Sequence, residues 1–157
     1  MTTERPLLER DAEYHPAVPS TLEAIHFELD QFCTLVSSEL TLPVTDRWKL
    51  EFDTALSEIC ANIIKHAFAE SPQQGTMVLH LRLYRNRIEV EITDDGVLFD
   101  EESAEESGAA DPALGPDADL PESGRGLQVA RALLDTLRYR RSQELRNHWL
   151  LVKLLPS

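Results

Sequence analysis

Midway along the chain the spacing of apolar residues changes from a helical period to a strand period, and this constrains the fold more than any other feature. Leu22, Ile25, Leu29, Cys33, Val36 and Leu40 recur every three or four residues. Ser20, with Glu23 three residues on, supplies an N-cap for that first helix, which must stop before Pro43. Thr45 or Asp46 caps a second, longer helix to about Ala69, with Trp48 near its start and Phe52, Leu56, Ile59, Ile63 and Ala67 along its stripe. From Thr76 the period drops to two. Met77, Leu79, Leu81 and Leu83 point one way, and Val78, His80, Arg82 and Tyr84 the other. Ile88, Val90 and Ile92 then alternate with Glu89, Glu91 and Thr93, and Arg85-Asn86-Arg87 forms the turn of an antiparallel hairpin.

After a polar interval the helical period returns. Gly124-Arg125-Gly126 opens a third helix carrying Leu127, Val129, Ala130, Leu133, Leu134 and Leu137. Two strand-like runs follow, Leu137 to Ser142 and Trp149 to Leu155, joined near Leu145-Arg146-Asn147. Helices thus segregate from antiparallel strands, which predicts a two-layer α+β sandwich. Residues 1–19, with Pro6, Pro16 and Pro19, read as a flexible arm or an edge strand; residues 20–157 form one domain.

Charge is placed as unevenly as hydrophobicity. The 157 residues carry 28 acids and 15 bases, a net −13, which argues against nucleic-acid and anionic-membrane partners. Nine of the acids lie between Asp100 and Glu122 with no base among them, so the remainder is only mildly acidic. That stretch, rich in Ala, Gly, Ser and Pro, reads as a long mobile loop at about 100–123. No apolar run approaches the ~18 residues of a membrane span and the N-terminus has no signal core. Cys33 and Cys60, isolated within helical patterns, read as buried thiols of a reducing cytoplasm.

Three polar features could carry chemistry. Glu58 and Asn62 lie four apart on the second helix, with Lys65 and His66 one turn further along the same side. A carboxylate there can take a proton, an amide oxygen suits Mg²⁺, and a lysine can pair with phosphate. Asp94 and Gly96 end a strand, where the carboxylate can accept from a base amino group while glycine leaves the ring room. Gly124 and Gly126 stand at a helix start, whose N–H groups favour phosphate. Each feature also has an ordinary structural explanation: a solvated helix face, a turn, a hinge.

Together, Glu58-x-x-x-Asn62, Asp94-x-Gly96 and Gly124-x-Gly126 resemble the nucleotide-binding motifs of the GHKL, or histidine-kinase-like (Bergerat-fold), ATPases. The strings SEICANIIKHAF, ITDDGVLFD and SGRGLQVARALLD are similar to one branch, the anti-sigma-factor serine kinases of bacterial partner-switching systems. The resemblance covers about residues 20 to 155 and implies a mixed, mostly antiparallel sheet covered on one face by about three helices. It implies ATP and Mg²⁺ as cofactors, with Glu58 as general base, Asn62 as the Mg²⁺ ligand and Asp94 as the reader of adenine beside Gly96. Gly124, Arg125, Gly126 and Leu127 would line the phosphates, Lys65 and His66 would lie near them, and the acidic loop would be the ATP lid. Leu98 stands where the family often has a second glycine, and the loop offers no cation before Arg125. The activity implied is a protein serine/threonine kinase that sequesters a sigma factor and phosphorylates an anti-sigma-factor antagonist, with a homodimer common among relatives. A non-catalytic ATP-binding sequestration module, or an ATPase domain within a larger signalling complex, is the alternative; a stoichiometric phosphoprotein product distinguishes them.

Overall fold

The computed structural model describes residues 4–15, 21–39, 44–67, 75–97 and 122–156. In chain order they form β1 (Leu8–Tyr14), α1 (Thr21–Glu39), α2 (Asp46–Asn62), a π-helical turn (Ile63–Ala67), β2 (Met77–Leu83), β3 (Arg87–Asp94), α3 (Glu122–Leu133), β4 (Thr136–Arg141) and β5 (Asn147–Leu154). The strands make one five-stranded sheet in the order β1-β2-β3-β5-β4, antiparallel at every pairing. The helices cover one face of it, giving the α+β two-layer sandwich that the two apolar periods predict.

Period two sorts the strands cleanly. Met77, Leu79, Leu81 and Leu83 of β2 are buried beneath the helices, as are Ile88, Val90 and Ile92 of β3. On α1 the buried stripe is Ile25, Leu29, Phe32, Cys33 and Val36; on α2 it is Trp48, Phe52, Ala55, Leu56, Ile59 and Cys60. Both cysteines are free and buried, and burial pushes the Cys33 thiol up to about 11 and the Cys60 thiol further in the same direction. Among the described residues no helix is long and apolar enough to cross a membrane.

Polar ties fix the helices over the sheet. The Thr45 hydroxyl caps α2 by accepting from the Trp48 N–H at 3.1 Å. The Trp48 indole Nε1 donates to the Leu154 carbonyl at 2.6 Å, pinning the start of α2 to the end of β5. Lys153 donates to Glu51 of α2 at 3.0 Å and to the Leu133 carbonyl of α3 at 2.7 Å. Between α1 and α2, His26 lies 2.5 Å from Asp53 and 2.8 Å from the Ser57 hydroxyl. This Ser–His–Asp chain has the spacing of an acyl-transfer triad, but α2 uses its own N–H groups beside Ser57 and so offers none of them as oxyanion donors; the chain clamps the two helices.

Three boundaries differ from the sequence pattern. α2 gives way at Ile63 to a π turn, so Lys65 and His66 do not continue the Glu58–Asn62 stripe in α-helical phase. α3 begins at Glu122, ahead of the Gly-Arg-Gly run, because glycine weakens a helix interior without forbidding it. It ends at Leu133, and Leu137 belongs to β4 instead, where it pairs with Leu151. The proposed N-cap Ser20, the helix end at Leu40–Pro43 and nearly all of the acidic loop lie outside the described residues.

Candidate functional site

Asp94 is the last residue of β3 and is 2 % exposed. Its Oδ1 accepts from the Gly96 N–H at 2.9 Å and from the Asn147 side-chain amide at 2.8 Å. Its Oδ2 is buried with no partner. Burial raises the carboxyl's pKa above its ordinary value, against the bonds from Asn147 and Gly96, which lower it. A desolvated carboxylate with one oxygen fixed and the other vacant is an acceptor held ready for a donor.

The fixing partner is a residue that the motifs did not single out. Asn147 opens β5 directly across from Asp94 and is 1 % exposed. Its Nδ2 also donates to the Val97 carbonyl at 2.8 Å, while its Oδ1 accepts from the Tyr139 hydroxyl at 2.5 Å and from Arg141 at 3.0 Å. Arg141 in turn donates to the Gly96 carbonyl at 2.9 Å. Gly96 is thereby held through both its N–H and its C=O. Asp95, next to it, is exposed and accepts from the Thr76 N–H at 2.9 Å, tying the bend to the start of β2.

The second cluster lies between α2 and α3. A Cβ placed on Gly126 would overlap the Glu58 carboxylate and come within 3.3 Å of its Cδ. Without a side chain, Gly126 leaves this space to the Glu58 carboxylate, which an added methyl would have to displace. One turn beyond, Asn62 ends α2 at 5 % exposure, and its Nδ2 is buried without a partner. Gly124 falls in the first turn of α3, where N–H groups have no helical acceptor. Gly126 lies past the first four positions of α3, and its missing side chain makes room for Glu58. Leu127 packs in the core. Lys65 is exposed on the π turn. The side chains of His66 and Arg125 lie outside the described residues.

The donor set suits a nucleotide with its cation. Asp94 Oδ2 is an unoccupied acceptor, Asn62 Nδ2 is an unpaired donor suited to a phosphate or water oxygen, and the Glu58 carboxylate fills the space beside Gly126. An amide oxygen is a hard ligand appropriate to Mg²⁺.

The family model of the histidine kinase-like ATPase domain matches residues 17–153. The chain is 38% identical over 81 residues to the serine-protein kinase RsbW of Halalkalibacterium halodurans, covering 52% of this chain and 48% of that one. It is 35% identical over 83 residues to the serine-protein kinase RsbW of Bacillus thuringiensis, covering 53% and 51%. The chain thus spans about half the length of the curated relatives it matches. Among solved structures, the mycobacterial sensor histidine kinase MprB aligns with a TM-score of 0.46 at 14% identity, over 93% of this chain and 98% of that one. From the family match across nearly its whole length, the chain belongs to the histidine kinase-like ATPase domain family.

Proposed function

We propose that this protein is an ATP-dependent protein serine/threonine kinase that acts as an anti-sigma factor: it sequesters a sigma factor and phosphorylates the antagonist that competes for it. The observation that carries the catalytic half is the contact of Glu58 with Gly126, which holds a carboxylate at the first turns of α3 with nothing between them. The serine-protein kinase relatives support the acceptor class, and the sequence resemblance supports the sigma factor and its antagonist as partners.

In this reading Asp94 Oδ2 accepts from the adenine amino group while Asn147 and the Gly96 N–H hold Oδ1. Gly96, anchored by Arg141, gives the ring space. Asn62 would hold Mg²⁺ through its amide oxygen, and the ion when bound neutralises phosphate charge. Free N–H groups in the first turn of α3, that of Gly124 among them, receive phosphate oxygens. Glu58 accepts the proton of the acceptor hydroxyl, and its place beside α3 sets the direction of that transfer. Positioning supplies most of the rate in such reactions, so the fixed helix pair contributes as much as the base itself.

The test is affinity capture from extract with and without ATP, followed by transfer from γ-labelled ATP to the captured proteins. A sigma factor and a stoichiometrically phosphorylated second protein are expected. ATP binding with no phosphoprotein would leave a sequestration module instead, and capture without any sigma factor would overturn the anti-sigma assignment.

A further inference from the structure

The outer face of the sheet, turned away from the helices, is charged in an uneven pattern. His80 on β2 pairs with Glu9 at 3.0 Å and with Asp11, both on β1. Arg82 lies 3.5 Å from Glu89 and 3.4 Å from Glu91, and Arg87 reaches Glu89 and Glu4, each at 3.0 Å. Glu91 also lies 3.7 Å from His148 on β5. The acids of β3 are thus satisfied from their own neighbours. Arg138 and Arg140 on β4 are different: both are exposed, and neither has a carboxylate partner among the described residues. In a chain of net charge −13, two adjacent unpaired cations on one face stand out.

Two further observations coincide there. β4 is an edge of the sheet, so alternate N–H and C=O groups along it point away from β5 with no strand beyond them among the described residues. Beside it lies a recess of about 300 Å³ lined by Arg82, Glu91, Arg138, Arg140, His148 and Leu150. Within this recess Arg82 Nε and His148 Nδ1 are buried without hydrogen-bond partners. Glu91 is the one carboxylate among the described lining residues, and it lies 3.4 Å from Arg82 and, beyond hydrogen-bond reach, 3.7 Å from His148 Nδ1.

We propose that the β4 edge is a docking site for an extended, acidic segment of a partner protein, which adds to the sheet as a further strand. Its backbone pairs with β4, and carboxylates two residues apart meet Arg138 and Arg140 on the outer face. A second copy of this chain fits poorly. Pairing β4 with itself antiparallel about Tyr139 would set Arg138 opposite Arg140, like charge against like. Nucleic acid fits no better, since the chain as a whole carries a net charge of −13 that opposes a polyanion. The site lies across the sheet from the helices and does not rest on the nucleotide reading.

The test uses the full chain and a fluorescein-labelled, end-blocked peptide of alternating glutamate and valine, followed by anisotropy at low and high salt. Saturable binding that weakens with salt is expected. The double charge reversal Arg138→Glu with Arg140→Glu should lose at least tenfold in affinity and gain the matching lysine–valine peptide, with thermal unfolding and nucleotide affinity unchanged. A peptide with a central proline should bind at least tenfold more weakly, because it cannot complete the backbone ladder. If the reversed variant fails to fold, Arg138→Gln with Arg140→Gln serves in its place with the same expected loss. The proposal fails if the acidic peptide does not bind the native chain or binds the reversed variant equally. It also fails if the proline peptide binds as tightly, if an oligonucleotide outcompetes the peptide, or if sedimentation shows a dimer that charge reversal abolishes.

Discussion

The two ends of the candidate site are built in opposite ways. At the sheet end, Asp94, Gly96, Asn147, Tyr139 and Arg141 form a closed network on three neighbouring strands, with a single buried oxygen left over. Between the helices, Glu58 has no hydrogen-bond partner among the described residues, and the amide of Asn62 is buried with its Nδ2 unmatched. A base is a rigid ligand whose edge can be met by a prebuilt frame. In the proposed reading, phosphates arrive with a hydrated cation whose waters bring their own donors and acceptors, so the groups awaiting them are left unmatched. On the proposed function, the fold itself would supply specificity at one end and the ligand would complete the other.

This contrast can be broken at either end. The largest effect is expected from Glu58→Gln, which keeps side-chain shape and removes the base: transfer should fall roughly 10²–10⁴-fold with nucleotide affinity nearly unchanged. Calorimetry beside a transfer assay checks it, and a native transfer rate would make Glu58 plain helix surface. Gly126→Ala should come next. The new methyl must displace the Glu58 carboxylate, the mobile end of a side chain, so misplacement should cost on the order of 10²-fold in rate with only a small change in melting temperature. A large loss of stability with an unaltered rate in the folded fraction would show that the helices, and not the carboxylate, had moved.

At the sheet end the expected effects are on binding. Asp94→Asn would turn a donor toward the base amino donor, and the nucleotide should bind about 1–3 kcal/mol more weakly by calorimetry. The smallest effect is one of pH. Burial raises the Asp94 pKa from 3.8, so protonation favours the folded, empty protein: that stabilisation is full below 3.8 and is lost as pH rises through the folded value. Nucleotide affinity should run the other way, falling as pH drops through the same window. Asn147→Ala removes a bond that lowers this pKa, so both transitions should move to higher pH. Calorimetric titrations across the acidic range would show the shift, and coincident profiles for the two proteins would detach Asn147 from Asp94.

What the chain discloses without a structure follows from how local each signal is. Glu58 and Asn62 are separated by one helical turn, and the β2–β3 hairpin closes over a few residues, so spacing alone placed them. Asn147 could not be found that way. Its partner is 53 residues distant, and the β3–β5 register that joins them is set by packing across the sheet. The π turn after Asn62 was hidden for a related reason: its residues have ordinary helix propensities, and only the hydrogen-bond pattern reveals the change of phase. Leu137 was counted with α3 because its apolar spacing continues that of Leu133 and Leu134, although the strand claims it through Leu151.

The tilted pair of Tyr139 and Trp149, with ring centroids 4.7 Å apart, gives the molecule an intrinsic optical reporter. Tyr139 is bonded to the amide that fixes Asp94, so Asp94 is two hydrogen bonds and one ring contact from an indole. The chain's other tryptophan, Trp48, is stacked on Phe52 at the far end of β5 and can be replaced by phenylalanine. The emission of a single native chromophore would then follow occupancy of the sheet end in real time, with no label attached, at the cost of the one indole bond that pins α2 to β5.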